Sequence, residues 1–440
     1  MIRVRFAPSP TGRLHIGNIF LALNNKLFAL AHQGQFLLRL DDTDRERSKV
    51  EYENGLKEDL TWLGLSWDHY ARQSERDDLY HAAVKKLQAS ARLYPCYETA
   101  EELDLKRKIQ RQRGLPPVYD RAALNLTQSE RDNFEQQGRK PHWRFKLDPI
   151  DVTWDDLVRG PQHVNEASQS DPILVREDGS YLYTLPSVVD DIDLSITHVI
   201  RGSDHVTNTA TQIQLFQALG AQPPSFAHLP LLVNADGEGL SKRLGSLSIQ
   251  QLRDAGVEPA AIRSYLAHIG TGDPIVIHYT FADLIKGFDL KKFGKASPRF
   301  DEDELWRLNG QYFHDLDYDL IKTKLSNDRI DKNLWDILKK NVINLNEIKE
   351  WVEIIYGSIN VVDNGDKNFV RQTVDLLPDE PWDTKTWDIW ISHVKENTGK
   401  KGKDLFMPLR LALTGRTDGP ELRHLLPLIG RQKTIKRLCQ

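Results

Sequence analysis

The opening stretch of the chain alternates between two apolar rhythms. Residues 2–6 read as a short strand, and Pro8, Pro10 and Gly12 then impose a loop. From Ile16 the apolar positions Ile19, Phe20, Leu23, Leu27 and Leu30 recur at helical spacing, and Gly34 ends that helix. Phe36-Leu-Leu-Arg-Leu40 reads as a second strand. Strand, loop, helix, strand is one half of a nucleotide-binding α/β unit. The spacing predicts helices over 51–64 and 76–93. From about residue 95 the pattern turns to mixed segments with polar turns. Strand character returns at Ser180–Thr184, Ser195–Arg201 and Leu229–Val233, with a helix over 207–219. A sheet begun at residue 2 and resumed near 185 implies a long insertion. Beyond residue 245 the chain reads as helical, over 247–270, 280–288, 316–327, 333–341, 346–357, 366–376, 384–398, 404–414 and 419–438. It lacks there the alternating strands and hairpin turns of a β-barrel.

Composition narrows the class. A chain of 440 residues predicts two to four domains, and 40% apolar residues can fill their cores. No apolar run reaches the length of a membrane span, and Met1-Ile-Arg-Val-Arg-Phe6 lacks the apolar core of a signal peptide. The two cysteines, Cys96 and Cys439, exclude a disulfide framework and point to a reducing compartment. They are also too few for a cysteine-rich zinc site. The net charge of −4 hides local basic runs. One is Lys106, Arg107, Lys108, Arg111 and Arg113. Another is Lys291, Lys292, Lys295 and Arg299. The last forty residues add Lys400, Lys401, Lys403, Arg410, Arg416, Arg423, Arg431, Lys433, Lys436 and Arg437. Each run is either a solvated helix face or a contact for a long polyanion.

Two segments carry candidate chemistry. Pro8-Ser9-Pro10-Thr11-Gly12 feeds a helix N-terminus, where free N–H groups and the dipole favour phosphate. His15 either donates to phosphate oxygens there or caps the helix. Gly17 permits close approach of a base to the backbone. Much later, Asp236-Gly-Glu-Gly239-Leu240-Ser241-Lys242-Arg243 is a glycine-bordered loop able to close over a triphosphate, with Lys242 as its cation.

Together these segments resemble the two ATP signatures of class I aminoacyl-tRNA synthetases, with Asn18 in place of the second histidine of the first and Leu240 in place of the methionine of the second. Arg5-Phe-Ala-Pro-Ser-Pro-Thr-Gly12, Leu40-Asp41-Asp42-Thr43-Asp44, Tyr183-Thr-Leu-Pro-Ser187-Val-Val-Asp190-Asp191 and His198-Val-Ile-Arg201-Gly-Ser-Asp204-His205 resemble the amino-acid pocket of the glutamyl and glutaminyl members. Gly402-Lys403-Asp404-Leu-Phe-Met-Pro408-Leu-Arg410 is similar to the anticodon-binding region of bacterial glutamyl enzymes. The resemblance implies an α/β Rossmann-like catalytic domain with an α/β insertion, followed by all-α stem-contact and anticodon-binding domains. Its implied boundaries are 1–80 and 181–240 for the catalytic halves, 81–180 for an inserted acceptor-stem-binding domain, 241–310 for the stem-contact domain and 311–440 for the anticodon-binding domain.

The same resemblance implies site residues. Pro8, Thr11, Gly12, His15, Gly17, Asn18, Leu240, Ser241, Lys242 and Arg243 would bind ATP, with His15 and Lys242 catalytic. Arg5, Ala7, Ser9, Asp41, Tyr183, Ser187 and Arg201 would bind glutamate, Asp41 through its α-ammonium and Arg201 through its side-chain carboxylate. A guanidinium fork suits a carboxylate, and a carboxylate suits an ammonium. Asp41 and Ser187 stand where the family more often has Glu and Asn. Arg201 could instead form a structural ion pair with Asp190, Asp191 or Asp204. Asp41 to Asp44 could be a turn with a helix cap. Cys96 sits where some relatives begin a zinc knuckle, but Glu98 replaces the next cysteine, so the site is expected to be metal-free. ATP with Mg²⁺, L-glutamate and tRNA-Glu, with tRNA-Gln as a further substrate, are the implied partners of a cytoplasmic monomer without membrane contact. The helical tail separates the chain from glutaminyl enzymes, which end in β-barrels. Residues 311–440 separate it from the short enzyme that glutamylates a modified tRNA base. Its length separates it from small nucleotidylyltransferases, and the retention of His15 and Lys242 from non-catalytic tRNA-binding paralogues.

Overall fold

The computed structural model describes residues 1–240, 248–325, 329–359 and 366–440. They form two compact units: Met1–Gln251 with Arg263–Asp301, and Leu252–Ile262 with Glu302–Gln440. In the first unit the chain runs β1 (Arg3–Phe6), α1 (Ile16–Ala31), β2 (Gln35–Leu40), α2 (Val50–Trp62), β3 (His69–Arg72), α3 (Asp77–Ala89), β4 (Leu93–Cys96), α4 (Ala100–Gln112), α5 (Gln128–Gln136), β5 (His142–Phe145), β6 (Asp151–Asp156), β7 (Gly160–Asn165), β8 (Ile173–Val175), α6 (Thr184–Asp193), β9 (His198–Gly202), α7 (Val206–Ala218) and β10 (Ser225–Leu229).

The strands form β1-β2-β3 and β7-β6-β10-β9 ladders, parallel except for the β6–β7 hairpin. The two ladders meet where the Thr197 N–H donates to the Arg3 carbonyl at 3.0 Å. β1 is therefore flanked by β2 on one side and by β9 on the other. That is a topological switch point, and ligands in open α/β sheets bind at the carboxyl ends of strands there. The inward positions of α1, Ile16, Ile19, Phe20, Leu23 and Leu27, are all buried, as their spacing predicts. Asn25 ties α1 across the switch point, its Nδ2 donating to the Ile200 carbonyl at 3.0 Å. A separate antiparallel sheet, β4-β5-β8, holds most of the inserted stretch together with α4 and α5. Within 81–180, however, β6 and β7 belong to the main sheet.

Several predicted elements shift. Ser180–Thr184 is not a strand: Tyr181 makes a lone bridge to Val175, and α6 begins at Thr184. Leu185, Val188, Val189 and Ile192 in fact have helical spacing, and Pro186 is tolerated in the first turn, where its missing N–H would have no intrahelical partner. The strand placed at 229–233 lies at Ser225–Leu229, ended by Pro230. The helix over 76–93 stops at Ala89, and Ala91 takes a left-handed turn into β4. The segments 247–270 and 419–438 are each two helices, parted at Gly256 and Gly430, both at positive φ.

The second unit is helical, from Glu302–Asp315 to Arg431–Leu438. Trp335, Trp351 and Trp390 anchor its core. Two of the indole N–H groups find carbonyls inside it: Trp335 on Leu316 at 2.9 Å and Trp390 on Thr373 at 3.0 Å.

Candidate active site

A cavity of about 710 Å³ opens at the carboxyl ends of β1 and β9. Of the residues predicted to bind ligands, Arg5, Ala7, Pro8, Ser9, His15, Gly17, Asn18, Asp41, Tyr183, Arg201 and Leu240 line it. Thr11, Gly12 and Ser187 do not. Ser187 is buried in α6, and what it offers is its carbonyl, to Arg39 Nη1 at 3.4 Å. Ser241, Lys242 and Arg243 lie outside the described residues. Both flanks of that segment stand at the site: Leu240 lines the cavity, and Ser248 bridges to His15.

His15 is the N-cap of α1. Its Nδ1 accepts the Gly17 N–H at 3.1 Å, and Asn18 Oδ1 accepts the His15 N–H at 3.1 Å. The two sequence readings of His15 are therefore compatible. The cap fills Nδ1, so the ring proton sits on Nε2, free to donate, and burial lowers the pKa, keeping the ring neutral. Asn18 serves as the other half of the capping box. A Cβ on Gly17 would lie 3.0 Å from the His15 ring, so glycine is needed there for the histidine as well as for any base.

The glutamate-side residues rest on a buried charge cluster. Arg39, the lone charge in β2, is fully buried. Its Nε and Nη2 grip Asp41 at 2.7 and 3.1 Å, and its Nη1 holds Asp191 at 2.7 Å. Arg5 also pairs with Asp191, at 3.1 Å. Asp190 is taken by Gln73, Arg76 and Tyr80. Asp42 accepts from the Ser74 N–H and hydroxyl, and Asp44 from Arg47. Of the acidic segment, Asp41 alone turns to the cavity, and burial pushes its carboxyl up to about 6 against the pull of Arg39.

Arg201 is different. It is 6% exposed, yet among the described residues it makes no ion pair. The expected alternative, a pairing with Asp190, Asp191 or Asp204, is not what the structure holds. Its partners are neutral: His228 Nε2 at 3.1 Å, Thr209 Oγ1 at 2.7 Å and the His205 carbonyl at 3.3 Å. Burial lowers its pKa below the usual arginine value, with the Tyr183 hydroxyl beside it. A buried cation with no ion pair among the described residues favours an anion beside it. Arg39, Thr209, His228 and Asp156 escaped the sequence reading. A lone Arg in an apolar strand and a His in Phe226-Ala-His228-Leu were the available signals.

Away from the cavity, Cys96, Glu98 and His142 bring one donor atom each within 4.8 Å of the others and could hold an ion. The Tyr119 hydroxyl donates to Glu98 at 2.8 Å and lies 3.6 Å from the Cys96 sulfur. Burial pushes the Cys96 thiol up to about 12 and His142 down to about 4.

The basic runs divide. Lys106 and Arg107 are paired with acidic neighbours, while Lys108, Arg111 and Arg113 make no ion pair among the described residues. In the second unit Arg437 is buried and ties the carbonyls of Leu413, Ile354 and Gly357. Arg410 and Lys433 likewise hold carbonyls, and Lys400 pairs with Asp366. Lys401, Lys403 and Lys436 form no ion pair among the described residues.

Residues 1–307 match the family of class I tRNA synthetases (E and Q), catalytic domain, and residues 318–440 match the anticodon binding domain family. The chain is 52% identical to glutamate–tRNA ligase 1 of Maricaulis maris, covering 100% of this chain and 99% of that one. It is 53% identical to glutamate–tRNA ligase 1 of Parvibaculum lavamentivorans, over 99% and 98% of the two. The crystal structure of a glutamate tRNA ligase from Elizabethkingia meningosepticum, in complex with its amino acid, superposes with a TM-score of 0.84 at 27% identity, over 99% and 98% of the chains.

Proposed function

Since this chain belongs to the class I tRNA synthetases of the E and Q group, we propose that it attaches L-glutamate to tRNA-Glu through a glutamyl-adenylate, releasing AMP and pyrophosphate. The observation that carries the choice of glutamate is Arg201, a buried guanidinium without a carboxylate partner among the described residues, in the same cavity as the Asp41 carboxylate. The Arg201 guanidinium and the Asp41 carboxylate, which share the cavity with Arg5 and Asp204, match the side-chain carboxylate and α-ammonium of glutamate.

The reaction then asks mainly for placement and charge stabilisation. The α-carboxylate of glutamate attacks the α-phosphorus of ATP, and the bond to the pyrophosphate oxygen breaks. Mg²⁺ entering with ATP would screen the phosphates. His15 Nε2–H and the N–H groups opening α1 meet the phosphate oxygens as negative charge shifts onto them, and Lys242 follows the departing pyrophosphate. A ribose hydroxyl of the terminal tRNA adenosine next attacks the acyl carbonyl, and AMP leaves. Arg5, which shares Asp191 with Arg39, lines the same cavity as Arg201. The inserted stretch 81–180 would hold the acceptor stem, 241–310 the inner stem and 311–440 the anticodon. The protein would act as a cytoplasmic monomer. No described helix is long and apolar enough to cross a membrane.

Relatives of near-equal identity carry the numbers 1 and 2 in their names, so the tRNA is the variable to test. Purified protein charged side by side with tRNA-Glu and tRNA-Gln is expected to attach glutamate, and never glutamine, to tRNA-Glu. Glutamate on both tRNAs would mark a non-discriminating enzyme, and on tRNA-Gln alone a divided-duty copy. Attachment of glutamine would overturn the proposal.

We also propose that the Cys96, Glu98 and His142 cluster works without zinc. Its three donor atoms are one short of a closed tetrahedral site, and the Tyr119 hydroxyl beside them donates to Glu98. Elemental analysis of the purified protein is expected to find no stoichiometric zinc; one zinc per chain would refute this.

A further inference from the structure

Behind Arg201 lies a second buried pair. Asp156 ends β6 and His228 sits in β10, and neither side chain is exposed to solvent at all. Asp156 Oδ1 accepts three backbone N–H groups, of Val158 at 3.0 Å, Arg159 at 2.9 Å and His228 at 3.1 Å. Its Oδ2 is 2.5 Å from His228 Nδ1. The carboxylate can only accept, so Nδ1 carries the ring proton and Nε2 is left with a lone pair. That lone pair meets the Nε–H of Arg201 at 3.1 Å. Thr209 completes the clamp: its hydroxyl accepts from Arg201 Nη2 at 2.7 Å and lies 3.1 Å from the same His228 nitrogen.

We propose that Asp156 and His228 are positioning residues for substrate choice: Asp156 fixes the His228 tautomer, and His228 in turn aims the Arg201 guanidinium at the carboxylate of the amino-acid substrate. The inference rests on the reading of Arg201 as the reader of glutamate. Its physical content is the acceptor at Nε2. A guanidinium donates from every nitrogen, so a ring that presented N–H at that point would oppose it. Of the other groups facing the guanidinium, Thr209 and the His205 carbonyl hold Nη2 and Tyr183 lies beside it, while His228 supplies the acceptor at Nε. Binding groups must be held within about 10–20° to be productive.

Asp156→Asn tests this with little change of shape. Asn Oδ1 can keep the three backbone N–H groups, which leaves Nδ2 as a donor facing Nδ1. The ring then moves its proton to Nε2, where it confronts Arg201. The variant is expected to raise the KM for glutamate about tenfold to hundredfold, the range seen when a partner that orients a binding group is lost. The KM for ATP should stay near that of the unaltered protein, and the preference for glutamate over glutamine should fall. His228→Gln offers its amide oxygen to Arg201 without needing Asp156. It is expected to keep most of the glutamate affinity, and adding Asp156→Asn to it should cost little more, a coupling that a merely structural aspartate would not show. All variants are assayed as the full chain with saturating tRNA, with melting temperatures measured alongside.

Unchanged glutamate KM and selectivity in Asp156→Asn would overturn the inference. So would equal increases in the KM values for glutamate and ATP, or additive losses in the double variant. The parent reading fails separately, if the unaltered protein does not charge glutamate or if Arg201→Gln keeps its preference.

Discussion

Arg201→Gln is expected to cut kcat/KM for glutamate by roughly thirtyfold to several thousandfold, while kcat/KM for glutamine changes far less. Glutamate and glutamine are nearly isosteric, so a pocket cannot separate them by shape. A guanidinium offers donors alone, which suit a carboxylate and oppose an amide NH₂. Removing one partner of a buried, hydrogen-bonded charge pair costs about 2–5 kcal/mol, and that range sets the loss. Stability should move the other way. Arg201 is buried beside His228 and Thr209 with no ion pair among the described residues, so its charge burdens the empty protein. The variant is expected to melt no lower than the original. Equal losses for both amino acids, with a falling melting temperature, would make Arg201 a structural residue.

The second large effect is expected at His15. His15→Asn should slow adenylate formation, read as pyrophosphate exchange with saturating tRNA present, by about a hundredfold to a thousandfold, the usual cost of one donor aimed at transition-state charge. Asparagine is among the best N-caps, so it can take the Gly17 N–H that His15 Nδ1 now accepts. What it lacks is the Nε2–H reaching into the cavity. The melting temperature should therefore barely move, and the KM for ATP should change less than kcat. His15→Ala removes both roles and should lose about 1 kcal/mol of stability in addition. If Asn at this position kept full turnover, His15 would be a cap and nothing more.

The parts of this protein that were readable from the chain were those set by local spacing. The N-terminal strand, loop and helix follow from Pro8, Pro10, Gly12 and the apolar stripe of α1. The cavity then brings together Arg5, His15, Asp41, Tyr183 and Arg201, which lie in separate motifs of the chain. α6 was hidden because Val188 and Val189 suggest a strand, while its partners along the helix, Leu185 and Ile192, show their period only over two turns. Charge partners were harder. Arg39 reaches Asp191 across 152 positions, and His228 reaches Asp156 across 72. Only the sheet order puts them side by side. In the basic C-terminal run, burial turns Arg437 inward to three carbonyls while Lys403 stays exposed. Spacing does not reveal that sorting. Ser187 shows the opposite error: its motif pointed to the cavity, and its place in α6 withholds it.

The seam between Arg3 and Thr197 spans 194 positions of sequence. On a ribosome, β1 and β2 emerge first, and one edge of β1 stays bare until β9 arrives. At about 5–20 residues per second, that wait is on the order of ten to forty seconds. Through it the nascent chain displays a strand edge with open hydrogen-bonding groups, the surface that chaperones bind and that aggregates grow from. The wall bearing Arg5 and the wall bearing Arg201 close on each other only when the wait ends. A truncated chain released before β9 would therefore carry half a pocket and a sticky edge, and no capacity to bind an amino acid.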